Sequence, residues 1–278
     1  MQTFLTVLPP SLRSLAARPS YFIVSVVVLG VSIAAQLAIF AVVSALLLSP
    51  PTARAPQELA FVRSSLPGGK VSFPDFRDIQ ERTTSFAGTF GYFISGRSGL
   101  TVGDDLFTIS CGIVTGTYFP TLGVSAGQGR LLESSDDVEN AAPVAVISSE
   151  LSQQRQLSLG SLIKINTFPF TVVGVLPPGY RGIERLTRVD VWIPSSQIAA
   201  VSQRSVLTNR GSQSLIVGAR LKPGVSVATA NAELGTIARR IQEENGKLNY
   251  GMSLEARSFA SFRYALDGSA RIMVLLCA

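Results

Sequence analysis

The 278-residue sequence contains no histidine. That absence excludes serine–histidine and cysteine–histidine nucleophilic sites, and it removes the commonest transition-metal ligand. Cysteine is nearly as scarce. Cys111 and Cys277 stand in unlike surroundings, and Cys277 lies in a terminal apolar run, so no structural disulfide is expected. Phosphate cradles are missing too. Gly68-Gly69-Lys70-Val71 lacks both the earlier glycine and the hydroxyl after lysine that a P-loop uses, and residues 123–130 lack the third glycine of GxGxxG. The net charge is +6, yet acids and bases are interspersed beyond residue 50 and no arginine stripe alternates with aromatics. Nucleic acid is therefore not an expected partner. Nor is there a repeat at the roughly 20–50-residue periods of solenoids and propellers.

One stretch lacks charge altogether. Residues 21–48 hold no Asp, Glu, Lys or Arg. A bilayer core about 30 Å thick needs roughly 20 apolar residues of helix, so this run is long enough to span it. In lipid only a helix satisfies every backbone amide within one segment. A signal peptide would share the upstream Arg13 and Arg18 and the small residues of Ala53-Arg54-Ala55. Its apolar region is only about 7–15 residues, however, so a retained anchor is expected. Within the run, Gly30, Ala34 and Ala38 recur every fourth residue as a ridge that lets another helix approach. Gln36, unfavourable against lipid, also points to a packed helix, so Gly30, Ala34, Gln36 and Ala38 are the expected helix-packing residues. Arg13 and Arg18 flank the run and no acid precedes it. The positive-inside rule then predicts a cytoplasmic N-terminus, with about residues 52–268 on the far side. Ser11 is expected to cap a short surface helix carrying Leu12 and Leu15.

Downstream, strand and helix signals alternate. Residues 58–63 read as a first strand. Ser72-Phe-Pro-Asp75 predicts a helix start, with a serine cap, a proline in the first turn and an acid at the positive end of the dipole. Phe73, Phe76, Ile79 and Phe86 would supply its buried face. Residues 87–114 have β character with turns expected at Gly96, Gly99 and Gly103, and Cys111 is expected as a small core residue rather than a reactive thiol. Residues 117–122 predict a short turn or helix, 143–147 a buried strand, and Ser148 the cap of a short helix. Residues 161–166 and 170–175 predict a hairpin. Residues 189–194 form a strand with the single tryptophan, Trp192, and 214–221 another; 195–212 are expected as a loop and frayed helix. Ser226 predicts the cap of an amphipathic helix with Val227, Ala230, Leu234, Ile237, Ala238 and Ile241 on one face and a C-cap at Asn245-Gly246. Residues 252–258 predict a last strand.

Two local patterns invite chemistry. Glu133, Asp136, Asp137 and Glu139 suggest a calcium loop, but the spacing does not match an EF-hand, and a solvated acidic turn is expected instead. Ser161-Leu-Ile-Lys164 matches Ser-x-x-Lys, yet neither Ser-Asp-Asn nor Lys-Thr-Gly accompanies it. On a strand, residues three apart point to opposite faces, so the two side chains would not meet. No catalytic residue, cofactor or metal is expected.

A set of blocks carries a resemblance over nearly the whole chain. Leu15-Ala-Ala-Arg18-Pro19 precedes the apolar run, which closes on residues 38–50, AIFAVVSALLLSP. Then come VSFPDFRD at 71–78, GTYFPTLGV at 116–124 and PVAVIS at 143–148. PFTVVGVLPPGY at 169–180, DVWIP at 190–194 and ARLKPGV at 219–225 complete it. In order and spacing these are similar to the N-terminal part of a MacB-like ABC transporter permease, especially the duplicated orphan-permease branch. The resemblance implies an α+β fold: one N-terminal transmembrane helix (21–49, after a cytoplasmic head, 1–20), then a two-lobed periplasmic mixed α/β core domain (52–266). In that family three more spans follow. Residues 268–278, mostly apolar, look like the start of a second one, so the chain is expected to be truncated. Three departures stand out: residues 153–161 lack a tryptophan, a double glycine and about half a dozen residues usual in relatives; Ser49 stands where an arginine is usual; and the later spans are missing.

The resemblance implies a non-catalytic subunit of the inner membrane that couples membrane-helix movement to a periplasmic domain serving export or mechanotransmission. Its implied partners are the membrane, a separate cytoplasmic ATPase, the remaining permease helices and, as an option, a second copy in a homodimer. The alternative is a single-pass periplasmic binding or sensory protein.

Overall fold

The computed structural model describes residues 19–48, 53–180, 182, 183, 187–198, 201, 206–246 and 251–259. The expected surface helix at Ser11, the start of a second span at 268–278 and Cys277 lie outside the described residues. The chain divides into two compact units, Met1–Pro50 and Pro51–Ala278.

In the first unit, α1 (Pro19–Leu48) is one continuous helix of 30 residues. Proline at its first position fits there because that amide has no helical partner. Its stretch Ile23–Ala41 is long and apolar enough to cross a membrane.

The second unit is built on ten strands: β1 (Leu59–Ser64), β2 (Phe86–Val102), β3 (Asp105–Val114), β4 (Gln128–Gly129), β5 (Val144–Ile147), β6 (Leu162–Ile165), β7 (Phe168–Val175), β8 (Val191–Pro194), β9 (Ile216–Leu221) and β10 (Leu254–Ser258). They pair in the order β10-β1-β9-β2-β3-β8-β5-β7-β4, while β6 joins β2 to β7. Strands β2, β3, β8, β5, β7 and β6 thus close on themselves as a ring, with the two-residue β4 added beside β7. The other half, β10-β1-β9-β2, is an open antiparallel sheet. The 17-residue β2 belongs to both.

Two helices of this unit, α2 (Phe73–Arg82) and α5 (Val227–Asn245), start as the serines predict: Ser72 accepts from the Asp75 amide and Ser226 from the Thr229 amide. Phe73, Phe76 and Ile79 of α2 and Ala230, Leu234, Ile237, Ala238 and Ile241 of α5 are buried with Ala60, Val62, Val217 and Ala219 of the open sheet. The same core continues into the ring through Ile113, Ile147, Ile165, Val172 and Val191. The two lobes are therefore halves of one unit. On the opposite sheet face a second core forms around Phe61, Phe90, Tyr118, Phe119 and Trp192, under the short helix α3 (Tyr118–Leu122). Period-two alternation explains the division: along β1, Leu59 and Phe61 enter this core while Ala60 and Val62 enter the other. A further short helix, α4 (Ser149–Arg155), is capped by Ser148 as expected.

The open sheet ends at β10, whose outer backbone is covered by carboxamides from α5. Asn231 donates to the Ala256 carbonyl at 3.1 Å and accepts from its amide at 2.6 Å. Gln242 donates to the Met252 carbonyl and accepts from the Gly251 amide. Side-chain amides thus stand where a neighbouring strand would bond.

Three expectations change. Gly96 and Gly99 are not turns but lie inside β2, because β3 on one edge and β9 with β6 on the other hold its backbone extended; only a register shift between Ser95 and Ser98 marks the spot. Gly103, with φ +60°, is the turn. Gly246 keeps right-handed helical angles (φ −33°, ψ −42°) rather than the left-handed ones of a glycine cap. Phe86 reaches the α2 core from β2, not from the helix.

Candidate functional site

The start of β1 and the end of β10 lie side by side: Ala60 pairs with Ser258. Just past β10, Phe259 stacks on Phe61 with ring centroids 5.2 Å apart. The segment ahead of β1 is bound by one side chain, Arg220 of β9. Register puts Arg220 opposite Leu59 on one side and Gly88 on the other, so it projects from the α3-bearing face. Its Nε donates to the Thr121 carbonyl at 2.8 Å; Nη1 reaches the Glu58 carboxylate at 2.8 Å and the Ala55 carbonyl at 3.4 Å. Nη2 donates to the carbonyls of Arg54 at 2.6 Å and Leu122 at 3.4 Å.

A planar guanidinium with five N–H donors suits this cluster of divergent acceptors, and a lysine would reach only part of it. The backbone adds its own tie, from the Arg54 amide to the Leu122 carbonyl at 2.9 Å. Two local conformations make room. Ala55 is left-handed (φ 46°, ψ 63°), which costs a residue with a Cβ about 1 kcal/mol. Gly123, at φ +68°, ends α3; a Cβ there would lie 2.8 Å from Cβ of Arg54. Residues 53–58 are therefore fastened to α3 and to β9 before β1 begins.

A second ionic cluster fixes the helices. Arg210 bridges the fully buried Asp75 in the first turn of α2 and Asp78 further along it, and Arg82 bonds both Asp78 (3.0 Å) and Glu244 (2.8 Å) of α5. Glu233 of α5 accepts from the amides of Thr84 and Ser85, tying the α2–β2 connection to the same helix.

The acidic turn is solvated only in part: Glu133 and Glu139 are exposed, whereas Asp136 is buried and Asp137 half-buried. Among the described residues no cluster of His, Cys, Asp and Glu could hold a metal ion. Asp136 is gripped through both oxygens by Arg130 (2.6 and 2.8 Å), accepts from the Glu133 amide, and is held below the usual carboxylate range by the Arg130 hydrogen bond. Asp137 accepts from the Ser195 hydroxyl and from the amides of Ser196 and Gly116; burial pushes its carboxyl upward despite them. The turn is a buttress between the loop after β3 and the end of β8. Only Arg130, six residues from Asp136, was near enough in sequence to suggest it.

Ser161 and Lys164 stay apart in orientation: Lys164 is exposed on β6 between two buried neighbours, and the Ser161 hydroxyl accepts from the Ser158 amide. Cys111 is fully buried, and desolvation pushes its thiol up to about 12. On α1, Gly30, Ala34 and Ala38 lie along one side, all exposed. At about 100° per residue Gln36 falls on roughly the opposite side, in a polar stripe with Ser25 and Ser32. The Ser32 hydroxyl bonds the Val28 carbonyl of its own helix at 2.8 Å. The four residues expected to pack thus lie on two faces of α1, not one.

Comparison with known proteins follows the same outline. A family model described as the MacB-like periplasmic core domain matches residues 22–237. No curated protein matches the sequence. Among solved structures, the periplasmic region of MacB from Actinobacillus actinomycetemcomitans is similar, with a TM-score of 0.56 and 16% identity, over 77% of this chain and 94% of that one. A domain ascribed to a permease of Porphyromonas gingivalis gives 0.59 and 18%, over 74% and 92%. The extracellular domain of the noncanonic ABC-type transporter YknZ from Gram-positive bacteria gives 0.51 and 12%, over 72% and 99%. At these identities the structural likenesses establish the fold.

Proposed function

Because the chain belongs to the family of MacB-like periplasmic core domains of ABC-transporter permeases, we propose that it is a non-catalytic coupling subunit. In this reading α1 crosses the inner membrane with its N-terminus in the cytoplasm, and the second unit stands in the periplasm. A separate cytoplasmic ATPase and further permease helices supply the movement. The small-residue ridge and the polar stripe of α1 receive neighbouring helices on opposite sides. The chain itself passes that movement to the periplasmic domain, for export or mechanotransmission.

The observation that carries the reading is the junction. A pull on residues 53–58 is spread by Arg220 over β9 and α3, instead of falling on β1 alone. The end of β10 lies beside it, where Ser258 pairs with Ala60. A rod-like input therefore acts on a stiff, cross-braced sheet.

The test uses the full chain with Cys277→Ala and Ser135→Cys, since Ser135 is exposed and Cys111 is buried. A membrane-impermeant maleimide should label position 135 from the periplasmic side; labelling only after the inner membrane is permeabilised refutes the orientation. With a donor dye at 135, acceptor lipids, and the ATPase with its remaining helices, energy transfer should change on adding ATP. No change in a complex that hydrolyses ATP refutes coupling.

A further inference from the structure

At the far end of β1 from the junction lies an open groove of about 510 Å³, within the size range of small-ligand sites. Its walls are the end of β1, the Pro67–Gly69 turn and the start of β10. It opens on the sheet face that α2 and α5 leave uncovered: Arg63 follows Phe61 at a two-residue step along β1, and Glu255 stands directly across from it on β10.

The charges here do not cancel. Cross-strand register offers Arg63 a natural partner in Glu255. Glu255 instead turns its carboxylate to Arg257, whose Nε and Nη2 donate to it at 3.0 and 2.9 Å. The Arg63 side chain makes no ion pair or hydrogen bond with any described residue. It lies flat against Gly69, where a Cβ would come within 2.7 Å of its Nη2. With φ +66° at Gly69, the turn is built in a conformation that leaves this space for the guanidinium. The groove therefore presents one planar, positioned, unneutralised cation beside a neutralised pair.

We infer that this groove binds a single carboxylate group, taken end-on by the fork of Arg63. The charge count selects the class. Arg63 and Arg257 against Glu255 leave one net positive charge, matched by a monoanion, whereas a phosphate dianion would also face the Glu255 carboxylate. Guanidinium–carboxylate geometry supplies two parallel hydrogen bonds. The ligand does not add as a strand, because Asn231 already occupies both backbone groups of Ala256 on the outer edge of β10. The carboxylate can belong to an acidic peptide segment or to a small free acid. The site stands independently of the coupling role.

The test is binding of a fluorescent Gly/Ser peptide with one central Glu to the full chain in detergent, with acetate as competitor. The Glu peptide should bind, and its Gln counterpart should bind about tenfold more weakly or worse. Arg63→Gln should lose a similar factor, and Arg63→Lys should retain part of the affinity through its charge. Glu255→Gln frees Arg257 and should tighten binding, a gain that misfolding cannot mimic. If acetate displaces the peptide at concentrations matching the peptide's own affinity, the source is a free acid; if it does not, the source is a peptide. Equal binding of the Glu and Gln peptides overturns the proposal, as does indifference to both Arg63→Gln and Glu255→Gln.

Discussion

Replacing Arg220 with alanine tests whether the junction is held by a backbone clamp or by a surface ion pair. The arginine side chain is 16% exposed and Glu58 is 44% exposed, so their pairing alone contributes at most about 1 kcal/mol. The carbonyl bonds weigh more. Leu122 keeps the Arg54 amide as a partner, and the Arg54 carbonyl is open to water, but the Thr121 carbonyl, in a buried residue, loses its donor. A lost charge-assisted bond of about 1.5–3 kcal/mol and one poorly solvated acceptor together give about 3 kcal/mol. For a domain of this size that lowers the melting temperature by about 6–12 °C. Urea unfolding of residues 52–266, followed through the buried Trp192, measures it. Glu58→Gln should cost about 1 kcal/mol or less, and Arg220→Lys should fall between the two. Hydrogen exchange should speed up first at the amides of β1. If Arg220→Ala costs no more than Glu58→Gln, the clamp is a drawing of contacts without energetic content, and the load path through it fails.

Two further outcomes follow from the buried and paired groups. With Cys277→Ala in place, Cys111 should resist thiol reagents at pH 8 and react at the rate of global unfolding, because its thiol is fully buried and raised to about 12; fast reaction in the native state would contradict that core. Asp136 sits below its ordinary 3.8 when folded, so its contribution is full above that pH and is lost as pH falls through the lower folded value; Asp137 is raised, so its contribution is full below 3.8 and fades as pH rises through the folded value. Asp136→Asn should therefore cost about 1–2 kcal/mol at pH 7 and progressively less as pH falls below 3.8 and through the folded value, and a pH-independent cost would show that packing, not charge, is what the substitution removes.

What was legible in the sequence was local. α1 follows from an uncharged run, and the starts of α2, α4 and α5 follow from Ser72, Ser148 and Ser226, because a cap and its amide lie three residues apart. Gly96 and Gly99 were misjudged because a glycine signals permission to turn, while β3, β6 and β9, which deny it, are brought in from elsewhere in the chain. The junction was hidden for the same reason. The block containing Arg220 was visible as a pattern, but its acceptors lie 98 to 166 residues away. The Arg63 groove depends on which arginine Glu255 chooses, and no spacing rule decides that. Gln36 was within reach: helical arithmetic alone separates it from Gly30, Ala34 and Ala38.

The pairing of Ala60 with Ser258 has a meaning in polymer statistics. A flexible chain of about 200 residues has ends roughly 80 Å apart on average. Folding brings these two positions to about 5 Å, the spacing of neighbouring strands. Whatever precedes and follows the domain is then tethered as if by almost no linker at all. The pairing of β1 with β10 thus acts as a closed clasp, raising the effective concentration of the segments joined to its two ends for each other.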